Sequence, residues 1–245
     1  MVTQAFIQPL LHILIILPLL IIFIKDRTRN NYFRVLSIAF CYYIYCIFLF
    51  MPHLVDSLHI INGNWNWNGK IYGVLSGIAI YFIFRQQFND NDFFTLKQNK
   101  EGLKAALKVS CALISIFSLS GILGVKEFNL ETLLFQITMP GIDEEIMFRG
   151  ILLGLMCSAL RNTNKAYKNP AIIINGILFG LAHSLIFQNG KVTFNTGAFI
   201  GTGMVGYALA YITIKTRSIL IPMLTHNLSN FLKNLFSMIK YRSLY

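Results

Sequence analysis

The chain has 245 residues, of which 55% are hydrophobic and only 13% are charged. This composition excludes an ordinary soluble domain, in which about a quarter of the residues are charged, and it indicates an integral membrane protein. The formal net charge is +11, but the basic residues are concentrated in alternate loops, so they indicate membrane orientation and no nucleic-acid partner is expected.

About eight segments are apolar and long enough to cross a bilayer, since a spanning helix needs roughly 20 apolar residues. In chain order they lie near residues 5–24, 35–55, 65–84, 105–124, 131–160, 170–187, 194–214 and 218–238. The sequence therefore predicts an all-α, polytopic transmembrane helical bundle of about 8 spans, with about 7 as the alternative count. They leave no room for a sizeable soluble domain, so residues 1–245 are expected to form a single integral membrane domain.

The basic residues predict the orientation of this bundle. Of the 21 Lys and Arg residues, 13 lie in the stretches 25–34, 85–104, 161–168 and 215–217. Because cytoplasmic loops carry the excess of Lys and Arg, these stretches are expected in the cytoplasm. The first segment has its basic cluster after it and none before it, so it is expected to be a retained helix that enters from the outside. Eight spans would place the tail with Lys240 outside, against the rule.

Small residues within the apolar segments indicate how the helices pack against one another. The four cysteines fall in apolar segments without metal-like spacing, so we expect them to be small buried core residues, namely Cys41, Cys46, Cys111 and Cys157. Glycines four residues apart let helix backbones approach closely in lipid. Such pairs occur at Gly73/Gly77, Gly150/Gly154, Gly176/Gly180 and Gly197/Gly201, and they predict a tightly packed second half.

Ionisable and amide side chains interrupt the later segments, where a lone charge would cost about 3 kcal/mol or more. Glu145 and Arg149 are four residues apart, so the carboxylate can pair with the guanidinium. Glu144 points about 100° away from Glu145 on a helical wheel and is expected to face a cavity. Asp143 is expected to be a solvated or cavity-rim carboxylate. The remaining polar residues of this kind are His183, His226, Asn227 and Asn230.

Three helices deliver the reactive groups to a similar depth. Counting from the cytoplasmic ends of the fifth, sixth and eighth segments at about 1.5 Å per residue, Glu144, His183, His226 and Asn230 lie roughly 14 to 25 Å into the membrane. All four fall in the middle to outer part of a hydrocarbon layer about 30 Å thick. The sequence therefore predicts one shared site.

The residue types in this set fit amide hydrolysis. A glutamate and a histidine beside a small wet cavity can deprotonate a water molecule, and a second histidine with an asparagine amide can donate hydrogen bonds to a developing oxyanion. No covalent nucleophile is evident, because the chain has no G-x-S-x-G motif and no cysteine clearly paired with a histidine. One glutamate and two histidines are also a zinc-ligand set, so a metal-activated water is an alternative, although HExxH is absent.

Three short motifs carry a resemblance to a known family. EEIMFR at 144–149, FGLAH at 179–183 and HNLSN at 226–230 match the EExxxR, FxxxH and HxxxN motifs of the CPBP family. This family comprises CAAX proteases and bacteriocin-processing proteins, also called Abi proteins. The resemblance covers about residues 130–235, which it implies are the catalytic core of a glutamate-type intramembrane endopeptidase with no metal or other cofactor.

The resemblance also implies a role for each matched residue. In the family pattern the first glutamate acts as the base on water, and the histidine of FxxxH assists it. The second glutamate and the arginine orient the site electrostatically, and the histidine and asparagine of HxxxN stabilise the tetrahedral oxyanion. The implied catalytic set is Glu144, Glu145, Arg149, His183, His226 and Asn230.

The substrate is inferred by analogy alone. The richness in Ile, Asn, Lys and Phe is typical of a bacterium with an AT-rich genome, so a bacterial cytoplasmic membrane is expected. The expected substrate is a small membrane-associated peptide or leader-bearing precursor of the pheromone or bacteriocin type, and the other partners are membrane lipids. The alternatives are a CAAX-type prenyl-protein protease, a non-catalytic immunity or regulatory protein, and a transporter or proton relay.

Overall fold

The computed structural model describes residues 2–163 and 165–244. Within these ranges the helices are α1 (Val2–Ile22), α2 (Arg29–Phe50), α3 (Trp67–Phe84), α4 (Lys100–Leu123), α5 (Leu130–Glu144), a π-helical segment (Glu145–Leu152), α6 (Leu153–Ala159), α7 (Pro170–Ser184), α8 (Thr196–Thr216) and α9 (Leu220–Leu244). Because α5, the π-helical segment and α6 follow one another directly, they form one long helix, and each predicted segment overlaps one long helix of the described ranges. The predicted all-α membrane bundle is confirmed.

Four helices of the described ranges are long and apolar enough to cross a membrane by length and composition alone. They are Thr3–Ile22, Arg29–His53, Lys100–Leu123 and Thr196–Thr216. α7 is apolar but has only 15 residues, and the long helix from α5 to α6 carries Asp143, Glu144, Glu145 and Arg149 in its middle. Because such helices pack inside the bundle, they can hold polar groups that lipid would not tolerate.

The sixth predicted segment ends in a β-hairpin and not in a helix. Residues 185–187 were expected to be helical, but α7 ends at Ser184 and is followed by the antiparallel strands β1 (Leu185–Gln188) and β2 (Lys191–Phe194). The turn residues Asn189 and Gly190 have φ values of 51° and 74°. Two successive positive φ values are typical of a type I′ turn, which favours Asn-Gly between two strands.

Glycines bring long helices together at two of the four predicted pairs, Gly73/Gly77 and Gly176/Gly180, whereas Gly150/Gly154 contacts residues 88–94. A methyl group at Gly176 would lie 3.0 Å from the carbonyl oxygen of Gly203, and one at Gly180 would lie 2.8 Å from that of Phe199. These contacts join α7 closely to α8, as GxxxG pairs do in lipid. The pair Gly197/Gly201 does not work in this way, because a methyl group at Gly201 would meet no atom within 4 Å.

The outer surface of the bundle is apolar where lipid would surround it. Leu14, Ile83 and Leu123 are 64%, 70% and 80% exposed. The protein core lies instead between α1, α2, the long α5–α6 helix and α7, where side chains such as Tyr42 and Leu152 are fully enclosed. Large apolar side chains thus cover both the inside and the outside, as expected for a protein whose solvent is hydrocarbon.

The four cysteines do not all lie in this core. Cys41 and Cys46 are buried and Cys157 is partly buried, but Cys111 is exposed on α4. The expectation of a buried core residue is therefore wrong for Cys111. A small apolar side chain on a lipid-facing helix needs no protein cover, since lipid tails are as apolar as the core.

The loops divide between two faces of the bundle. The four basic stretches meet at one face, where the Lys25 N–H donates to the Ala159 carbonyl at 2.9 Å and Arg217 Nη1 donates to Asn91 Oδ1 at 3.2 Å. We call this the basic face, and it contains the stretches that the sequence predicts to lie in the cytoplasm. The loop 51–66 and the β1–β2 hairpin lie at the opposite end of the helices, which we call the distal face.

Candidate active site

The reactive stretch of the long helix follows Pro140, which lies inside α5. Proline lacks an N–H and disturbs the preceding turn of a helix. Asn227 of α9 repairs this turn, because its Oδ1 accepts from the Gly141 N–H at 2.6 Å and its Nδ2 donates to the Thr138 carbonyl at 3.0 Å. The π-helical segment starts five residues after Pro140, at Glu145. Wide turns of this kind occur frequently at functional sites, where they redirect side chains.

Glu145 lies in a fully buried cluster with Arg149 and His226. Its Oε1 is 3.2 Å from Arg149 Nη1, which is the expected ion pair, and 2.8 Å from His226 Nδ1. The guanidinium also donates to the Gly206 carbonyl of α8 at 3.2 Å and lies 4.4 Å from the centre of the Phe179 ring. Because Glu145 accepts hydrogen bonds as a carboxylate, His226 carries a proton on Nδ1, and its Nε2 is the nitrogen left for other partners.

Glu144 contacts different partners. Its Oε1 is 2.6 Å from Lys70 Nζ, and its Oε2 is 3.9 Å from His183 Nε2. Among the described residues, Oε2 is buried and has no hydrogen-bond partner. His183 Nδ1 lies 2.8 Å from the Phe179 carbonyl oxygen, which can only accept, so Nδ1 carries the proton and Nε2 faces the carboxylate.

Asp143 is not the solvated or rim carboxylate that was expected. Its side chain is 0% exposed, and its Oδ2 accepts from the Tyr45 hydroxyl at 2.7 Å and from Lys70 Nζ at 2.8 Å. A buried charge is costly unless it is paired and hydrogen-bonded. Lys70 and Tyr45 meet this condition, so Asp143 is an interior residue that holds Lys70 beside Glu144.

Lys70 and Tyr45 are the site residues that sequence reasoning missed. Lys70 falls within the third predicted segment and was given no part in the site, but it is the fourth residue of α3 and only 14% of its side chain is exposed. A long apolar stem and a charged head let a lysine at a helix end reach a distant partner. The one available signal was a lysine directly before the apolar run from residue 71 to 84, and it did not reveal the partner.

A large cavity brings four of the predicted site residues together. It has a volume of about 1250 Å³ and lies between α4, α5, α7, α8 and α9. Apolar side chains such as Phe117 and Val205 dominate its wall. The predicted residues that line it are Glu144, His183, His226 and Asn230, whereas Glu145 and Arg149 lie behind this wall.

The loop 51–66 covers the distal end of the large cavity. Glu131, in the first turn of α5, accepts from the Asn64 N–H at 2.9 Å and from Trp67 Nε1 at 3.1 Å. The Trp65 ring stacks on Phe135 with centroids 4.9 Å apart, and Trp65 itself lines the cavity. The loop is thereby fixed against α5, close to the site.

A small cavity of about 250 Å³ lies on the other side of Glu144. Lys70, Glu144 and His183 line both cavities, so these three side chains form part of the wall between them. The small cavity is bounded by α1, α2, α3 and α7. The residues that α1, α2 and α3 contribute come from the first half of the chain, and none of them belongs to the three motifs.

The described side chains form no group of three or more His, Cys, Asp or Glu that could hold a metal ion. The residues of the zinc-ligand set considered above make these contacts within the protein. His226 Nδ1 is bonded to Glu145, His183 Nδ1 is bonded to a backbone carbonyl, and the ammonium of Lys70 lies against Glu144.

A family of known proteins matches part of the chain. The family described as Rce1-like, type II CAAX prenyl endopeptidase Rce1-like, matches residues 126–232. No curated protein and no solved structure matches the chain. The match contains the three motifs, and it excludes Lys70 and Tyr45, which lie on α3 and α2. The resemblance drawn from the motifs is confirmed, and with the apolar helices it supports a protease in a membrane.

Proposed function

We propose that this chain, which carries an Rce1-like domain of the CPBP family over residues 126–232, is an intramembrane endopeptidase in which Glu144 activates water. One observation carries the proposal. Glu144 presents a buried, unbonded carboxylate oxygen 3.9 Å from the free ring nitrogen of His183, at the wall of a cavity large enough for a peptide segment.

The two acceptors suit a single water molecule. A water within hydrogen-bond distance of both Glu144 Oε2 and His183 Nε2 donates one proton to each and turns a lone pair towards the cavity. The water oxygen then bonds to the carbonyl carbon of the scissile amide as one of its protons moves to Glu144. That proton passes to the amide nitrogen as the C–N bond breaks, and the products are a carboxylic acid and an amine.

Lys70 supports this chemistry without reacting. Its ammonium lies 2.6 Å from Glu144 Oε1, and a carboxylate buried without a cation would cost several kcal/mol. The ion pair keeps Glu144 charged and leaves Oε2 as the oxygen that receives the proton. Lys70 is therefore a positioning residue in this proposal.

His226 and Asn230 line the cavity beside this water site and are proposed to stabilise the oxyanion. The Asn230 amide can donate as it stands. His226 Nε2 donates only when the ring carries both protons, and the Glu145 carboxylate at Nδ1, 2.8 Å away, stabilises that charged ring. Arg149 in turn holds Glu145, so the buried cluster supports the oxyanion site from behind.

Metal-independent catalysis is proposed on the same contacts. The Lys70 ammonium, 2.6 Å from Glu144 Oε1, already balances the charge of this carboxylate, so a metal cation is not needed for that purpose. Glu144, Lys70 and His183 therefore supply the base, the charge and the second acceptor.

The cavity favours a substrate with an apolar portion, since its wall is mostly apolar. Glu144 lies towards the distal face, because its partners Lys70 and His183 are in the first turn of α3 and the last turn of α7. With the basic face in the cytoplasm, this position favours a membrane-associated peptide reached from the outside, such as a leader-bearing pheromone or bacteriocin precursor. The size of the cavity also favours a prenylated peptide, which is the second candidate.

Peptide mass spectrometry on cells tests both candidates. Cells of the source organism that produce wild-type protein are compared with cells that produce Glu144→Gln at an equal membrane level. We expect an uncleaved precursor to accumulate with the variant, and its modification state identifies the substrate class. Identical peptide profiles, together with an undiminished biological activity of the variant, would instead indicate a non-catalytic membrane protein.

A further inference from the structure

The small cavity differs in chemistry from the large one. Polar side chains that contribute to its wall include Gln8 and His12 of α1 and Tyr42 and Tyr45 of α2. His12 is fixed there, because Nδ1 lies 2.7 Å from the Tyr42 hydroxyl and Nε2 lies 2.8 Å from the Leu185 carbonyl of β1. A buried water needs two to four polar partners, and this wall offers them.

The small cavity also lies towards the distal face. Gln8 is in the amino-terminal third of α1, Phe50 ends α2 and Asn66 precedes α3, and all three line this cavity. Phe50 and Asn66 are partly exposed. The cavity therefore extends from the distal ends of three helices inward to Glu144.

We propose that the small cavity is the aqueous route by which the water consumed in hydrolysis reaches Glu144 from the distal face. This inference rests on the proposed endopeptidase activity. A substrate in the apolar large cavity displaces water from that side of Glu144, so each turnover needs water from another side. The small cavity has a volume of about 250 Å³, and a water molecule takes about 30 Å³ in the liquid, so there is room for several molecules.

Two native cysteines on α2 provide a matched probe. Cys46 lines the small cavity, whereas Cys41 is five residues earlier on the same helix, is 0% exposed and does not line it. Two variants are needed, in each of which one of these cysteines is kept and the other three cysteines are replaced by alanine. Both are treated in sealed membranes with a small, membrane-impermeant, cationic methanethiosulfonate. We expect Cys46 to react at least about tenfold faster than Cys41, because thiol reactivity follows access to water.

The side of labelling tests the direction of the route. Labelling of Cys46 is expected when the reagent is added at the distal face and not when it is added at the basic face. Reaction of Cys46 no faster than that of Cys41, or labelling from the basic face alone, would overturn the proposal.

A blocking substitution tests whether this cavity is the path. Ala182 lines the small cavity and Ala198 lines the large one. Ala182→Phe should suppress Cys46 labelling, whereas Ala198→Phe should leave it unchanged. If Ala182→Phe does not reach the membrane, Ala182→Leu serves instead. Labelling that persists at the wild-type rate in the blocked variant contradicts the route.

The two proposals fail in different experiments. Cys46 labelling needs no substrate, so its absence overturns the water route and leaves the endopeptidase proposal intact. For the precursor that accumulates with Glu144→Gln, Ala182→Phe should lower kcat about tenfold with little change in KM, while Ala198→Phe should mainly raise KM. Cleavage by Glu144→Gln at the wild-type rate would overturn the endopeptidase proposal without affecting the labelling result.

Discussion

Two neighbouring charged clusters lie on the long helix, and they are built from different parts of the chain. The Glu145 cluster takes its partners Arg149 and His226 from within the family match. The Glu144 cluster takes Lys70 from the first half, outside that match. The motifs therefore supply the reactive groups. The charge balance of Glu144 depends instead on α3, a helix that contains none of the motifs.

Substitutions in the Glu145 cluster should lower stability more than substitutions in the Glu144 cluster. Arg149→Met leaves the Glu145 carboxylate fully buried without its cation, and removing one partner of a buried ion pair costs about 3–5 kcal/mol. Thermal unfolding in detergent should show a large loss of Tm. Glu145→Gln combined with Arg149→Met should recover part of that loss, and an unchanged Tm in the single variant would mean that the pair is not buried as described.

Substitution of Lys70 in the Glu144 cluster should lower the rate of cleavage more than it lowers stability. Lys70→Met removes the ammonium 2.6 Å from Glu144, and we expect kcat to fall about a hundredfold, a typical contribution of a correctly charged general base. The acid limb of the pH–activity profile should also move to higher pH, because a carboxylate without a nearby cation protonates more readily.

Lys126→Met is the matched control for Lys70. Lys126 Nζ donates to Asn234 Oδ1 at 2.8 Å, away from both clusters, so this variant should keep the wild-type kcat and pH profile. Equal losses in the two lysine variants would show that lysine removal acts through general instability.

Tyr45→Phe should have a smaller effect, because Asp143 retains Lys70 after the hydroxyl is lost. A hydrogen bond to a charged group contributes about 1.5–3 kcal/mol, so Tm should fall moderately. We expect kcat to fall less than about tenfold, since Glu144 keeps its direct partner. Tyr43→Phe, on a different face of α2, is the control and should change neither quantity. A loss of kcat as large as that of Lys70→Met would assign Tyr45 a more direct role.

Chelation should have the smallest effect. If the cation beside Glu144 is an ammonium and not a metal ion, EDTA and 1,10-phenanthroline should leave the initial rate of cleavage unchanged. Loss of activity with a chelator and recovery with added zinc would favour the metal-activated alternative.

Sequence patterns predicted the helices well because each is marked by a long apolar run. They missed the β1–β2 hairpin, although the Asn189-Gly190 turn is visible in FQNGKVTF, because the flanking residues are apolar enough to resemble the end of a span. They also missed the π-helical segment, since its departure from the α-helix depends on tertiary contacts and not on composition.

For the site, too, local spacing predicted some contacts and could not predict others. The pairing of Glu145 with Arg149 follows from their spacing, and it is found as predicted. Lys70 lies 74 residues before Glu144, and no local pattern connects the two. Asp143 was expected to be solvated or at the cavity rim because its partner Lys70 was not foreseen. Its burial is stable only with Lys70 beside it.

The most direct test of Glu144 as the base is cleavage of a precursor peptide in H₂¹⁸O by purified wild type and by a Glu144→Gln variant shown to have the wild-type Tm. We expect one ¹⁸O atom in the new carboxyl terminus made by the wild type and a rate about a thousandfold lower for the variant. Cleavage by Glu144→Gln at the wild-type rate would contradict this role.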